Sequence, residues 1–78
     1  MIVYWRPGCP YCVALKLRLR LARIPFTAVN IWRDPLGAEL VRAHNSGDEL
    51  VPTVQIGDVV LSHPRFGDIR RTLADRNR

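Results

Sequence analysis

Residues 10–24, PYCVALKLRLRLARI, decide the fold of this chain, and they admit two readings. Leu15, Leu17, Leu19 and Leu21 alternate with Lys16, Arg18 and Arg20, a period of two that alone argues for a strand. Length and composition argue for a helix, because Leu, Ala, Arg and Lys are good helix formers and the run is about fifteen residues long. On a helix, Lys16, Arg20 and Arg23 share one face, and Ala14, Leu17, Leu21 and Ile24 form an apolar one. Arg18 alone sits awkwardly. The helical reading prevails, with Pro25 as its breaker.

The flanking segments then fall into order. Ile2 to Trp5, IVYW, is short, β-branched and aromatic, and Pro7-Gly8 stops it, as expected of a strand. Phe26 to Trp32, FTAVNIW, alternates as a second strand. Asp34-Pro35 supplies an N-cap and a proline at the first helical position. Leu36, Leu40 and Ala43 carry the period of that helix, which Asn45-Ser46-Gly47 ends. TVQIGDVVL, residues 53–61, reads as a hairpin around Gly57-Asp58. The final helix begins near Ser62 and Pro64 and buries Phe66, Ile69 and Leu73, while Arg70, Arg71 and Arg76 gather toward its C-terminal end. The predicted class is α/β: βαβαββα in one domain, 1–78, with a four-stranded mixed sheet flanked by three helices.

Bulk properties bound the function. Seventy-eight residues with 47% hydrophobic content fit a small globular domain. No apolar run approaches the roughly 18 residues of a membrane span. Met1 leads directly into IVYW without an export-like segment, so a reducing cytoplasm is expected and no membrane partner. The formal charge is +5, carried by eleven arginines and Lys16. These cations are scattered, with no recognised reading module, so no nucleic-acid partner is expected.

Both cysteines, Cys9 and Cys12, lie in WRPGCPYCV, where the first strand hands over to the first helix. Zinc would need His44 and His63 as further ligands, and their spacing lacks the short separation of a Cys₂His₂ site. No metal ligand is therefore assigned. A structural disulfide would close a very small loop in a reducing compartment and gain little. A working redox pair fits best. Cys9 is placed at the N-cap and Pro10 in the first turn, so the N–H groups of Tyr11 and Cys12 can point at the Cys9 sulfur and favour thiolate over thiol. Arg6 adds positive charge nearby. Cys12, one turn in, is expected to be the more buried thiol, giving an attacking and a resolving sulfur.

CPYC after the first strand, together with VPTV (Val51 to Val54) before the hairpin, resembles the glutaredoxin family over essentially the whole chain. The resemblance implies a thioredoxin-like fold and a thiol–disulfide oxidoreductase with no bound cofactor. It also implies that Pro52 is cis and faces the cysteines, and that the Val51 backbone pairs with the substrate. Glutathione-using members usually carry Thr-Val-Pro where this chain has Leu50-Val51-Pro52, and Gly-Gly followed by Asp where it has SHPRF, Ser62 to Phe66. Arg65 there has the wrong sign for the ammonium group of glutathione. HNSGDELVPTV followed by LSHP is closer to the mycoredoxins, which implies mycothiol, or otherwise glutathione, as reducing co-substrate.

Site candidates are therefore Cys9 and Cys12 as catalytic residues, with Arg6, Tyr11, Leu50, Val51, Pro52, Ser62 and His63 around the bound thiol. Expected partners are thiol-capped or disulfide-bonded proteins and a low-molecular-weight thiol. Two rival roles follow from the same residues. One is a thioredoxin-reductase-linked dithiol donor to a protein such as ribonucleotide reductase; the other is a module holding an iron–sulfur cluster through Cys9. Trp5 and Trp32 are read as packing residues and His44 as an exposed one.

Overall fold

A computed structural model of the chain describes residues 1–76; the last two residues of the expected domain lie outside them. Strands β1 (Ile2–Trp5), β2 (Thr27–Asn30), β3 (Thr53–Ile56) and β4 (Val59–Ser62) alternate with helices α1 (Pro10–Leu21), α2 (Pro35–His44) and α3 (Phe66–Arg76) in the expected βαβαββα order. The sheet order is β2-β1-β3-β4, with β1 and β2 parallel and the other neighbours antiparallel. Alternation along β1 sends Val3 to one face and Tyr4 to the other. Val3 joins Val54, Ile56, Leu15, Leu19 and Ile69, so α1 and α3 cover that face. Tyr4 joins Ala38 and Val41 of α2 together with the two cysteines and Val51.

The helix boundaries have local causes. Asp34 caps α2, its carboxylate accepting from the Leu36 and Gly37 N–H groups. α1 stops at Leu21, before the expected Ile24, because Arg23 adopts φ 58° and turns the chain. The Ile24 N–H then reaches the Leu19 carbonyl and the Arg23 N–H the Arg20 carbonyl, a Schellman closure with arginine where glycine is common. The hairpin turns on Gly57 and Asp58, and of these only Gly57 has positive φ, the type II′ pattern. α3 begins at Phe66, later than Ser62 or Pro64. Ser62 still pairs in β4, and the Asp68 carboxylate accepts from the Arg65 N–H to close the helix start.

Several expected faces are corrected. α1 buries Cys12, Leu15 and Leu19, whereas Leu17, Leu21 and Ala14 point to solvent. α2 buries Gly37, Ala38 and Val41, while Leu36 and Ala43 are exposed and Leu40 is half-buried. The reason in α2 is proximity: a Cβ at Gly37 would lie 3.0 Å from Val29 and 3.4 Å from Tyr4, so small residues sit where helix and sheet come closest. β2 ends at Asn30, whose side-chain oxygen accepts from the Trp32 N–H and turns the chain away. Trp32 is accordingly exposed instead of packed. Trp5 is half-buried against the Tyr4 side, and the stripe Phe66, Ile69 and Leu73 of α3 packs inward as read.

Candidate active site

Both cysteines sit at the junction of β1 and α1, as free thiols. Cys9 is the N-cap of α1, and its sulfur accepts from the Cys12 N–H at 3.3 Å. The Tyr11 N–H, expected to share this role, is not bonded to it. Cys9 is 8% exposed and Cys12 0%, so of the two buried cysteines only the first borders solvent. Burial pushes the Cys12 thiol up to about 12, its hydrogen bond to the Cys9 sulfur adds to the rise, and the Arg6 backbone and the Lys16 charge oppose it. Lys16, one turn along α1 from Cys12, holds its ammonium 3.5 Å from the centroid of the Trp5 ring. At neutral pH Cys12 thus keeps its proton.

The facing wall is the turn before β3. The Val51-Pro52 bond is cis, and the Cys9 thiol donates to the Val51 carbonyl at 3.9 Å. This turn is tied down from behind. The Thr53 hydroxyl donates to the Leu50 carbonyl at 2.6 Å, and the Asn45 amide donates to the Val41 carbonyl and to Thr53 Oγ1. On the other side the His63 N–H donates to the Pro52 carbonyl at 2.8 Å. Val51 and Pro52 are therefore held by α2, β3 and the segment after β4 at once.

A groove of about 410 Å³ runs from this point between α1 and the β4–α3 connection, lined by Tyr11, Arg18, Pro52, His63, Arg65 and Phe66 among others. Tyr11 and His63 meet edge to face across it, with centroids 5.0 Å apart. The structure thus brings Tyr11, Pro52 and His63 together next to the cysteines. Arg6, Leu50 and Ser62 do not line this groove. Ser62 faces a neighbouring depression with Asp68 and Arg71, Leu50 is engaged through its carbonyl, and Arg6 reaches the site through its backbone. Sequence reasoning missed Arg18 and Phe66, whose guanidinium and ring stack at 4.4 Å on the groove wall. Arg18 was the one charge that fitted neither face of the helix, and that misfit was the available signal.

A glutaredoxin family model matches residues 1–61, which include the two cysteines and the Val51-Pro52 turn. The chain belongs to the glutaredoxin family. Two Mycobacterium tuberculosis proteins that carry the provisional name of glutaredoxin, from strains CDC 1551 / Oshkosh and ATCC 25618 / H37Rv, are each 32% identical to it over 74 residues. The match covers 94% of this chain and 88% of each relative. Among solved structures, a point mutant of the thioredoxin-like protein BC3987 superposes with a TM-score of 0.79 at 22% identity, covering 92% of this chain and 96% of that one. The unmutated BC3987 gives 0.73 at 23% identity, with 90% and 94% covered. These two likenesses concern the fold, which is thioredoxin-like. No described helix is long and apolar enough to cross a membrane. As a glutaredoxin the chain is a redox protein of the thiol–disulfide kind. The family match ends at Leu61, so the segment Ser62 to Phe66 of the glutaredoxin groove lies outside it.

Proposed function

We propose that this glutaredoxin reduces mixed disulfides between cytoplasmic proteins and a low-molecular-weight thiol, with mycothiol as the preferred thiol. The observation that carries the direction of the chemistry is the asymmetry of the two sulfurs. Cys9 is the reachable one and accepts a helix N-terminal N–H, whereas Cys12 is fully buried and pushed up to about 12. The Cys9 thiolate attacks the small thiol's sulfur in the mixed disulfide, and the protein leaves as a thiolate that takes up a proton. A Cys9–small-thiol disulfide remains. A second small thiol then attacks the bound one, giving a symmetrical disulfide and free Cys9. On the alternative branch Cys12 loses its proton and attacks the Cys9 sulfur, releasing the small thiol. The buried, protonated Cys12 makes that second branch the slower one.

The choice of mycothiol rests on the groove. Among the described residues its lining contains Arg18, His63 and Arg65 and no carboxylate. Asp68, the acid nearest in sequence, is turned back onto the Arg65 N–H and lies 3.9 Å from Arg71. An ammonium group, as on glutathione, finds no carboxylate there, whereas a neutral sugar–inositol unit finds guanidinium donors and the aromatic rings of Tyr11 and Phe66. The test is turnover by the reduced protein of two short peptides, one capped with mycothiol and one with glutathione. Preference for the mycothiol-capped peptide is expected, and no turnover of it rejects the assignment. Cys9→Ser abolishes turnover, and Cys12→Ser retains the monothiol route. The reverse pattern exchanges the two roles, and activity only with thioredoxin reductase makes the chain a dithiol donor instead.

A further inference from the structure

The outer side of α1 is apolar although nothing covers it. Val13 is 62% exposed, Leu17 54% and Leu21 76%, and the three follow one another at every fourth position. At about 100° per residue they form one stripe, with Leu17 and Leu21 directly opposite the buried Cys12, Leu15 and Leu19. The stripe extends about 12 Å along the helix. Together with Tyr11, 67% exposed, it accounts for four of the exposed large apolar side chains among the described residues, the others being Trp32, Leu36 and Leu50.

Charge is distributed just as unevenly. Residues 1–33 hold Arg6, Lys16, Arg18, Arg20, Arg23 and Arg33 and no acid, while all seven acids lie from Asp34 onward with the other six cations. The overall +5 is therefore a property of the part of the chain that contains α1. The ion pairs among the described residues are Arg42–Glu49, Arg71–Asp68 and Arg76–Asp58, all elsewhere. The α1 cations rest on rings instead: Lys16 on Trp5, Arg18 on Phe66 and Arg20 on Phe26. These cations lie against rings and take part in none of the ion pairs among the described residues.

We propose that the outer side of α1 is the docking surface for the protein half of the mixed disulfide, and that it takes an amphipathic helical segment bearing leucine-like side chains flanked by Asp or Glu. Two observations select this occupant. An acid-free cationic border around an apolar stripe is complementary to acidic, apolar protein surface and repels a second copy of the same helix. The stripe also begins beside Cys9, at the N-terminus of the same helix, so a protein seated on it presents a neighbouring disulfide to the reachable sulfur. This deepens the oxidoreductase reading above and rests on it for the role of the docked protein.

The test separates docking from chemistry. A cysteine-free, fluorescently labelled peptide helix with Leu at every fourth position and flanking Glu is titrated with the full chain, and anisotropy is followed. A matched peptide with Gln for Glu is the control. The Glu peptide is expected to bind at least about tenfold more tightly, with the advantage shrinking as salt rises. The double variant Leu17→Gln/Leu21→Gln keeps good helix formers at exposed positions and loses about tenfold in affinity. Arg20→Glu loses a similar amount for the Glu peptide and little for the Gln peptide. Turnover of the short capped peptide stays unchanged in these variants, so failure of that turnover in the wild type indicts the chemistry alone. Equal binding of the two peptides overturns the proposal, as does unchanged binding by the variants. Binding to phosphatidylglycerol vesicles with no peptide binding overturns it in favour of a membrane, and a dimer abolished by the double variant overturns it in favour of self-association.

Discussion

Along one side of α1, Cys12, Leu15 and Leu19 lie against the sheet and α3; along the other, Val13, Leu17 and Leu21 face solvent. Both sides are apolar, and the leucines are the same residue type at the same spacing. What separates them is contact. Leu19 is completely buried among Val3, Val54, Ile56 and Ile69, so truncating it removes transfer energy and leaves a cavity. Leu19→Ala is therefore expected to cost about 2–5 kcal/mol, a large part of the stability of a domain this small. Leu17→Ala is expected to stay within about 0.5 kcal/mol. Urea unfolding of the two variants measures both, and comparable losses would mean that the two sides share one core.

The inner side also carries a proton that the outer side does not. The Cys12 thiol sits at about 12 against an ordinary 9.0, chiefly through burial. A folded-state value above the unfolded one means that the native state holds the proton longer. The associated stability is whole below pH 9.0 and is lost as pH rises toward 12. The reduced protein should therefore lose stability over that range more steeply than Cys12→Ala, which has no thiol there to titrate. Parallel pH profiles of the unfolding midpoint would remove the buried thiol as the cause. A steeper profile for the wild type ties the inner side of α1 to the redox chemistry as well as to the core.

Element order and the cysteine pair were legible in the chain because turn residues and caps are local signals: Pro7-Gly8, Asp34-Pro35 and Gly57-Asp58 each lie at an observed boundary. The faces of the helices were not. Leu15, Leu17, Leu19 and Leu21 spread around more than half of a helical wheel, so hydrophobicity alone could not say which pair meets the sheet. Cys12 holds the missing information. It must turn inward to lie beside Cys9, and Leu15 and Leu19 follow it at three and seven residues. In α2 the buried Gly37 makes room for the Val29 and Tyr4 side chains of the sheet, and Ala38 is buried beside it, which a count of apolar residues does not register. The groove was half legible: Tyr11, Pro52 and His63 were in view, but Arg18 enters it from α1 across a tertiary contact with Phe66 of α3.

A smaller effect than that of Leu19→Ala, and of opposite sign, is expected where the two sides of α1 end together. Arg23 turns the chain out of the helix with φ 58°, a conformation in which a Cβ is crowded and glycine is not. The turn lets Ile24 fold back beside Leu19 on the inner side, closed by the bond from the Ile24 N–H to the Leu19 carbonyl at 3.0 Å. Arg23→Gly keeps that closure and relieves the crowding, while the greater freedom of glycine in the unfolded chain offsets part of the gain. A net stabilisation of about 0.5–1 kcal/mol is expected from chemical denaturation. The same substitution removes a cation two residues beyond Leu21, the last residue of the outer stripe, so binding of the Glu peptide should weaken slightly as stability rises. Opposite signs from one residue would show that the inner side is built for folding and that the outer charge is kept for contact. A loss of stability would instead mean that the arginine side chain itself holds the helix end.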